Sequence, residues 1–199
     1  MPKLFCIGEA LIDFIPMDID TELKNVSGFL KKPGGAPANV SAAAARLGND
    51  AAFLGKLGKD AFGDFLVETI SASGVDTSCI LRTDKANTSL AFVSLKNDGN
   101  REFSFYRKPG ADMLLESSEI QDDWFNEGDI LQFCTVSLSA EPVRSAHIKA
   151  IEAVKKKNGV IVFDPNLRFP LWDDKDALKK TCLEFLSYSD VVKISDEEL

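Results

Sequence analysis

A glycine-rich turn that leads into a helix is the most informative feature of this sequence. The turn contains Gly34, Gly35, Pro37 and Asn39, and it continues into the alanine-rich residues 40–48. Glycines let the backbone approach a ligand closely, and an amide in the first turn of a helix lies beside free backbone N–H groups. The turn could bind a polar small molecule, or it could serve only as a tight strand-to-helix connection. It contains neither a Walker phosphate loop nor a dinucleotide-binding fingerprint.

Further polar side chains follow predicted strands. Asp13 follows the first strand, and Asp164, Asn166 and Arg168 follow a later one. Functional loops of a parallel sheet lie beyond the carboxyl ends of its strands, where a carboxylate can accept hydrogen bonds from two hydroxyl groups and a guanidinium can contact phosphate or substrate. Taken alone, Asp13 is also compatible with a turn or cap aspartate. Residues 164–168 are likewise compatible with a structural Asp-Pro-Asn turn.

Three more charged residues are candidates for a site. The planar fork of Arg107 could reach an anionic or hydroxylated substrate, and Lys193 could compensate the charge of a phosphate. Glu198 closes a capping box with Ser195, which predicts the start of a helix. Each has a structural alternative, since an arginine on a hairpin or a lysine at the end of a strand is often only solvated.

The alternation of strand and helix patterns predicts an α/β fold. Strand-like runs occur at residues 4–8, 51–55, 129–133, 160–163 and 190–194, and helical segments occur near residues 37–47, 61–73, 141–157 and 175–186. Such alternation implies parallel strands joined by right-handed helical crossovers, and therefore a doubly wound sheet flanked by helices. The ligand is expected beyond the carboxyl ends of these strands.

Two pairs of segments interrupt this alternation and predict a small protruding antiparallel β lid. Residues 11–16 pair with 26–30, and residues 89–95 pair with 102–106 through the turn signal of residues 97–100, so the lid comprises about residues 11–31 and 88–108. Its phenylalanines need a cover, which a substrate, the main domain or a second subunit could supply. They are Phe14, Phe29, Phe92, Phe103 and Phe105.

Composition restricts the possible functions. The chain has 199 residues, 45% of them hydrophobic and 27% charged, with a formal net charge of −8. This charge without a basic face disfavours nucleic acid, and the absence of a membrane-length apolar run or a signal peptide predicts a cytoplasmic protein without membrane contact. Four widely spaced cysteines predict reduced thiols. The single histidine, His147, excludes a histidine-pair mechanism and is expected at the edge of the core.

Five ordered motifs resemble those of ribokinase-type carbohydrate kinases, and most of all those of fructokinases. The motifs are Gly-Glu-Ala-Leu-Ile-Asp-Phe at residues 8–14, Gly-Gly-Ala-Pro-Ala-Asn at 34–39, Gly-Lys-Leu-Gly-Lys-Asp-Ala-Phe-Gly at 55–63, Phe-Tyr-Arg-Lys-Pro-Gly-Ala-Asp at 105–112 and Asp-Pro-Asn-Leu-Arg at 164–168. The resemblance is in register from residue 3 to residue 199, so it covers the chain.

The resemblance implies a ribokinase-like fold and an ATP-dependent sugar kinase. Such an enzyme transfers the γ-phosphate of MgATP to a primary hydroxyl of fructose and gives fructose 6-phosphate. The substrate-binding residues implied are Asp13, Gly34, Gly35, Asn39, Phe105, Arg107, Asn166 and Arg168. Lys193 and Glu198 would contact the nucleotide, with Glu198 holding Mg²⁺ through water, and potassium is a further expected ion. Most members carry Asn-x-x-Glu where this chain has Ser195-x-x-Glu198.

The resemblance also indicates what these residues lack. Members take their general base from an aspartate in an Asp-Thr-x-Gly-Ala-Gly-Asp segment, which does not occur in this sequence. We therefore name no catalytic base, give Arg168 a supporting role, and interpret residues 1–199 as the N-terminal part of a longer kinase domain. These residues alone are expected to be nearly inactive.

Three alternatives stay open. One is a 2-keto-3-deoxygluconate kinase, whose carboxylate substrate would pair with Arg107 and Arg168. The second is a non-catalytic fructokinase-like binding protein, and the third is a purely structural fragment. A homodimer formed through the lid is expected, because a protruding sheet leaves an edge to cover.

Overall fold

The computed structural model describes residues 2–18, 20–95, 101–172 and 174–198. In chain order the strands are β1 (Leu4–Ile7), β2 (Leu11–Pro16), β3 (Phe29–Gly34), β4 (Ala51–Gly58), β5 (Ile80–Thr83), β6 (Leu90–Leu95), β7 (Arg101–Tyr106), β8 (Ile130–Cys134), β9 (Val160–Asp164) and β10 (Val191–Val192). The α-helices are α1 (Ala36–Arg46), α2 (Ala61–Ala72), α3 (Val143–Lys155) and α4 (Lys175–Leu186).

Six of these strands form the main sheet, in the order β10-β9-β8-β1-β4-β5, and every pairing between them is parallel. Successive residues of a strand point to opposite faces, so Phe5 and Ile7 pack in the core beneath α3, while Cys6 packs in the core beneath α1 and α2. The predicted doubly wound sheet is therefore confirmed. Strand β5 was not predicted, because it is short and only Thr83 in it is buried.

The joint between β4 and α2 explains the motif of residues 55–63. The carboxylate of Asp60 accepts hydrogen bonds from the backbone N–H groups of Phe62 (3.1 Å) and Gly63 (2.8 Å), which caps α2. It also accepts one from the N–H of Thr88 (2.8 Å). The motif therefore fixes the start of a helix and, at the same time, the segment that leads into β6.

The remaining four strands form the lid, in the order β3-β2-β6-β7. The pairs β2–β3 and β6–β7 are antiparallel, as predicted, but β2 and β6 are parallel, so the lid is a mixed sheet and not a purely antiparallel one. These two strands run in the same direction because each follows a strand of the parallel main sheet. The strand predicted at residues 26–30 occurs at Phe29–Gly34, and the predicted turn at 97–100 lies outside the described residues.

The register of the lid divides its aromatic residues between two faces. The rings of Phe14 and Phe92 stack at 4.9 Å between centroids, and Phe14 also contacts Phe62 of α2 at 5.7 Å. The rings of Phe103 and Phe105 stack at 5.8 Å on the opposite face. The main domain therefore covers part of one aromatic face, and the other face is turned toward the ends of the main strands.

The cysteines and the histidine have structural positions. All four cysteines are free thiols, and three of them are buried, while Cys182 is partly exposed. His147 is fully buried beside the ring of Phe133, so its expected position at the edge of the core was wrong. No α-helix within the described ranges is long and apolar enough to cross a membrane.

Candidate functional site

A cavity of about 280 Å³ lies between the lid, the first turn of α1 and the carboxyl ends of the main strands. Six of the predicted site residues line it: Asp13, Gly35, Asn39, Phe105, Asn166 and Arg168. Glu9, Phe103 and Val136 also contribute to its wall. The structure thus brings together residues that are up to 155 positions apart in the sequence (13 to 168), and it does so at the edge where a parallel sheet presents its ligands.

Asp13 lies in β2 with its carboxylate directed to this cavity. The side chain is half-buried, and its oxygens accept no hydrogen bond from any residue in the described ranges. Burial raises the pKa of Asp13 above its usual 3.8. A half-buried carboxylate without protein partners is suited to accept hydrogen bonds from the hydroxyl groups of a ligand.

Gly34 lies against the side chain of Asp13, but it does not line the cavity that contains Asp13. A Cβ at position 34 would lie 2.7 Å from Cγ of Asp13 and closer still to its Oδ2, so any larger residue would displace the carboxylate. Gly34 lines a separate cavity of about 200 Å³ between α1 and α2, which Asn39 also reaches. The structure therefore gives Gly34 a positional role beside its predicted role in sugar binding.

The second glycine permits the sharp entry into α1. Gly35 has a φ of 103°, and a Cβ there would lie 2.9 Å from Cα of Ala10. Helix α1 then begins at Ala36, one residue before the predicted start, and its N-cap glycine has no side chain to accept a hydrogen bond. Asn39 stands in the first turn with its side chain exposed, which places the amide at the cavity wall.

Glu9 replaces the missing N-cap and was not identified from the sequence. Its carboxylate accepts hydrogen bonds from the N–H of Ala36 (3.0 Å) and from Oγ of Ser137 (2.7 Å). Burial raises the pKa of Glu9, and the positive charge of Arg107 opposes that effect. The available signal was its position directly after the first strand, the same kind of position that singled out Asp164.

Arg107 is buried and paired, so the alternative of a solvated arginine was wrong. Its Nε donates to Oδ2 of Asp112 (2.7 Å) and its Nη1 donates to the carbonyl of Val136 (2.9 Å). The residue lines a neighbouring cavity of about 490 Å³, which shares Phe103 and Phe105 with the cavity that contains Asp13. The structure does not bring Arg107 to the wall beside Asp13, and its predicted contact with substrate stays a prediction.

Hydrogen bonds from other parts of the chain hold the turn that follows β9. Oγ1 of Thr135 donates to the carbonyl of Pro165, and Asn166 has a left-handed φ of 41°. The N–H of Leu167 donates to Oε1 of Glu198 at 2.8 Å. Arg168 is exposed, and its Nη1 donates only to the carbonyl of Leu167 (2.9 Å) among the residues that are described. The turn is thus structural and, at the same time, presents Asn166 and Arg168 to the cavity.

Three charged groups lie close together at this turn, namely Asp164, Lys193 and Glu198. Nζ of Lys193 lies 3.4 Å from Oδ1 of Asp164. Burial raises the pKa of Asp164, and Lys193 opposes this. For Glu198, burial also raises the pKa, but hydrogen bonds from the N–H groups of Ser195 and Leu167 outweigh it, so the pKa is lowered and the carboxylate stays ionised.

Only half of the predicted capping box is formed, and it opens a 3₁₀ turn within the described residues. The N–H of Glu198 donates to the carbonyl of Ser195 (3.0 Å) and not to its Oγ. The N–H and Oγ of Ser195 donate to Oε2 of Glu198 at 3.0 and 2.9 Å, and the turn spans Asp196–Glu198. Among the described residues, no group of three or more His, Cys, Asp or Glu could hold a metal ion directly. Since both oxygens of Glu198 already accept hydrogen bonds, the residue fits a contact with Mg²⁺ through water better than direct ligation.

Comparison with known proteins identifies the family. Residues 1–199 match the model of the pfkB family of carbohydrate kinases. The chain belongs to this family. The pfkB family match and the fold together confirm the resemblance to ribokinase-type kinases that the five motifs indicated.

Individual relatives of this pfkB family chain are named as fructokinases. "Probable fructokinase-4" of Arabidopsis thaliana is 47% identical over 192 residues, which are 96% of this chain and 59% of that protein. A fructokinase of Xylella fastidiosa with bound ATP is 38% identical with a TM-score of 0.88, over 98% of this chain and 62% of that one. A fructokinase double mutant of Vibrio cholerae with fructose, ADP and potassium bound is 36% identical with a TM-score of 0.86, over 100% of this chain and 61% of that one. The chain thus spans about three fifths of the length of these relatives.

Proposed function

We propose that the chain is the sugar-binding part of an ATP-dependent kinase that phosphorylates fructose on a primary hydroxyl and gives fructose 6-phosphate. The observation that carries this proposal is the meeting of Asp13, Asn39 and Arg168 at one cavity beneath the lid. At about 280 Å³ the cavity lies near the lower end of the volumes of small-molecule sites, as expected for a monosaccharide. The fructokinase names of the relatives support fructose as the sugar.

The residues of the cavity have complementary roles in this proposal. Asp13 accepts hydrogen bonds from two sugar hydroxyls, and the amides of Asn39 and Asn166 hold others. Phe105 closes an apolar wall over the sugar ring. Arg168, which is charged and exposed at the wall, contacts the transferred phosphoryl group and compensates charge as it develops. Gly35 acts through its backbone, and Gly34 leaves the space that the carboxylate of Asp13 occupies.

The nucleotide side of the proposal rests on fewer residues. Lys193 compensates phosphate charge, and Glu198 holds Mg²⁺ through water, while ATP and potassium are supported by the ligands named for the solved relatives. No catalytic base is assigned among residues 1–199. We place it in the part of the kinase that lies outside the three fifths of the relatives' length that this chain spans. We propose that the lid is the part of the chain that carries β2, β3, β6 and β7.

Two properties of the whole protein belong to the same proposal. A homodimer would form through the lid, where Tyr106 and Met17 are exposed by 62% and 67%. The protein would act in the cytoplasm. Size measurement of the full-length protein by light scattering tests the dimer, and a variant with Tyr106→Ser should weaken it.

A substrate panel with MgATP tests the proposed reaction. Full-length protein is expected to phosphorylate fructose with a higher kcat/KM than ribose or 2-keto-3-deoxygluconate, and residues 1–199 alone are expected to give negligible turnover. A preference for 2-keto-3-deoxygluconate would make it the proposed substrate in place of fructose. Its carboxylate would then pair with the positive charge of Arg168. Binding of fructose without turnover would identify a non-catalytic binding protein. Absence of both binding and turnover with every sugar would overturn the proposal.

A further inference from the structure

The chain passes four times between the main domain and the lid. Two passages leave the main domain, between β1 and β2 and again before β6, and two return to it, from β3 into α1 and after β7. A buried polar residue or a bonded backbone group stands at each passage. They are Glu9, the N–H of Ala36, Ser89 and Arg107.

These groups are connected by two buried carboxylates. Asp112 accepts hydrogen bonds from Nε of Arg107 (2.7 Å) and from Oγ of Ser89, which joins the two passages of the second hairpin. Glu9 accepts one from the N–H of Ala36 (3.0 Å), which joins the two passages of the first hairpin. The side chains of Glu9, Ser89, Arg107 and Asp112 are at most 5% exposed.

Arg107 is paired with Asp112 and is connected to Glu9 through residues 136 and 137. Its Nη1 donates to the carbonyl of Val136 (2.9 Å), and Oγ of the neighbouring Ser137 donates to Glu9 (2.7 Å). A buried ion pair adds little net stability compared with apolar residues of the same size, but removal of one charge leaves the other uncompensated. We therefore expect the cluster to affect the positions of the two hairpins more than the overall stability.

We propose that Glu9 is a positioning residue that fixes the distance between the two sugar-binding surfaces. One surface is the first turn of α1 with Gly35 and Asn39, which Glu9 holds through the N–H of Ala36. The other is the lid with Asp13. Where the lid returns to the main domain, Arg107 is bonded to Val136, whose neighbour Ser137 donates to Glu9. Glu9 does not take part in the chemistry. This inference rests on the proposed function for its enzymatic test, but not for its structural test.

The enzymatic test uses Glu9→Gln in the full-length kinase, since glutamine keeps the size of the side chain and replaces one of its two acceptor oxygens by an NH₂ donor. We expect the fructose KM to rise by about tenfold or more, while kcat and the KM for ATP change by less than about twofold. The matched control is Glu119→Gln, which removes the ion pair between Glu119 and the buried Lys56 in the main domain. That variant should keep the wild-type fructose KM. An unchanged fructose KM in Glu9→Gln, or an equal effect on the KM values of both substrates, would overturn the inference.

The structural test needs no sugar. Hydrogen–deuterium exchange of the free protein should be faster in β3, β7 and the first turn of α1 in Glu9→Gln than in Glu119→Gln, with α3 and α4 unchanged. Exchange that is equal in the two variants would contradict the positioning role even if the wild-type protein turned out to phosphorylate no sugar. If Glu9→Gln fails to fold, Ser137→Ala removes one hydrogen bond to Glu9 at no change in charge. We then expect a rise in fructose KM of about threefold and faster lid exchange, and the absence of both would overturn the inference.

Discussion

Gly34 and Asp13 are neighbours across the pair β2–β3, and the absence of a side chain at position 34 leaves the space that the carboxylate of Asp13 occupies. A Cβ there would lie 2.7 Å from Cγ of Asp13 and 2.9 Å from Cδ1 of Leu11. The conformation of Asp13 toward the cavity therefore depends on a residue that does not line that cavity.

Replacing Gly34 by alanine should weaken sugar binding. The added methyl group displaces Asp13, so we expect fructose to bind about tenfold more weakly or worse to the full-length protein, as measured by titration calorimetry. The matched control is Gly48→Ala after the other end of α1, where φ is 87° and a Cβ meets nothing within 4 Å. That change should cost about 1 kcal/mol of stability through backbone strain and leave fructose affinity as it was. Equal affinities for the two variants would contradict the role of Gly34.

The affinity for sugar should fall in acid because Asp13 must be ionised to accept hydrogen bonds from two hydroxyls. Burial raises the pKa of Asp13 above 3.8, so the loss begins at a higher pH than for an exposed aspartate. The stability of the fold depends on pH in the opposite direction. The folded state binds this proton more tightly than the unfolded state, so the contribution of Asp13 to the free energy of unfolding increases as the pH falls. Asp13→Asn should bind fructose tenfold to a hundredfold more weakly at neutral pH and lose this pH dependence. A pH profile in Asp13→Asn like that of the wild type would exclude Asp13 as its source.

Arg168 should matter for catalysis and little for stability. The side chain is exposed and donates to one carbonyl, so Arg168→Ala is expected to change the free energy of unfolding by less than about 0.5 kcal/mol. Its kcat/KM for fructose should fall by about tenfold or more, because a charged contact to the phosphoryl group is lost. Arg46→Ala on the exposed side of α1 serves as the control and should retain full activity. A comparable loss in both variants would indicate a general effect of charge.

The buried histidine should make the protein sensitive to mild acid. Burial lowers the pKa of His147 from 6.5 to about 4, so between these values the unfolded chain binds a proton that the folded chain does not. Stability is therefore lost as the pH falls, at about 1.4 kcal/mol for each pH unit and on the order of 3 kcal/mol by pH 4. Urea unfolding of wild type and His147→Leu at pH 7, 6 and 5 measures this. The variant should show the shallower dependence on pH, and parallel curves would contradict the prediction.

Local patterns were sufficient to predict most of the main domain. The helix predicted at residues 175–186 occurs as Lys175–Leu186, because Asp174 caps it and its apolar residues recur with helical spacing. The carboxyl end of β9 was also recognised, which is why Asn166 and Arg168 were predicted at the ligand edge of the sheet, whereas the family resemblance assigned Asp13 to the same site. Parallel strands carry this information because their ends meet at one edge.

Contacts between distant segments could not be predicted in the same way. The parallel pairing of β2 with β6 joins two segments that no turn connects. Turn residues in the sequence can predict the pairs β2–β3 and β6–β7, but they carry no information on how the two pairs combine into one sheet. The burial of Arg107 depends on Val136, and that of Glu9 depends on Ser137, 128 positions away. The sequence indicated solvent or ligand contact for Arg107 and no role for Glu9, and only the folded chain brings their partners to them.

The buried charged residues where the lid joins the main domain, Glu9, Arg107 and Asp112, have a consequence for engineering. An experimenter who transplants a lid from a related kinase, with position 107 included, can bring a residue other than arginine against the resident Glu9 and Asp112. A graft without this positive charge would leave the two carboxylates uncompensated in the buried interior, whatever the quality of its new binding surface. Exchanging positions 9, 89, 107 and 112 as one set would keep the graft compatible with its host.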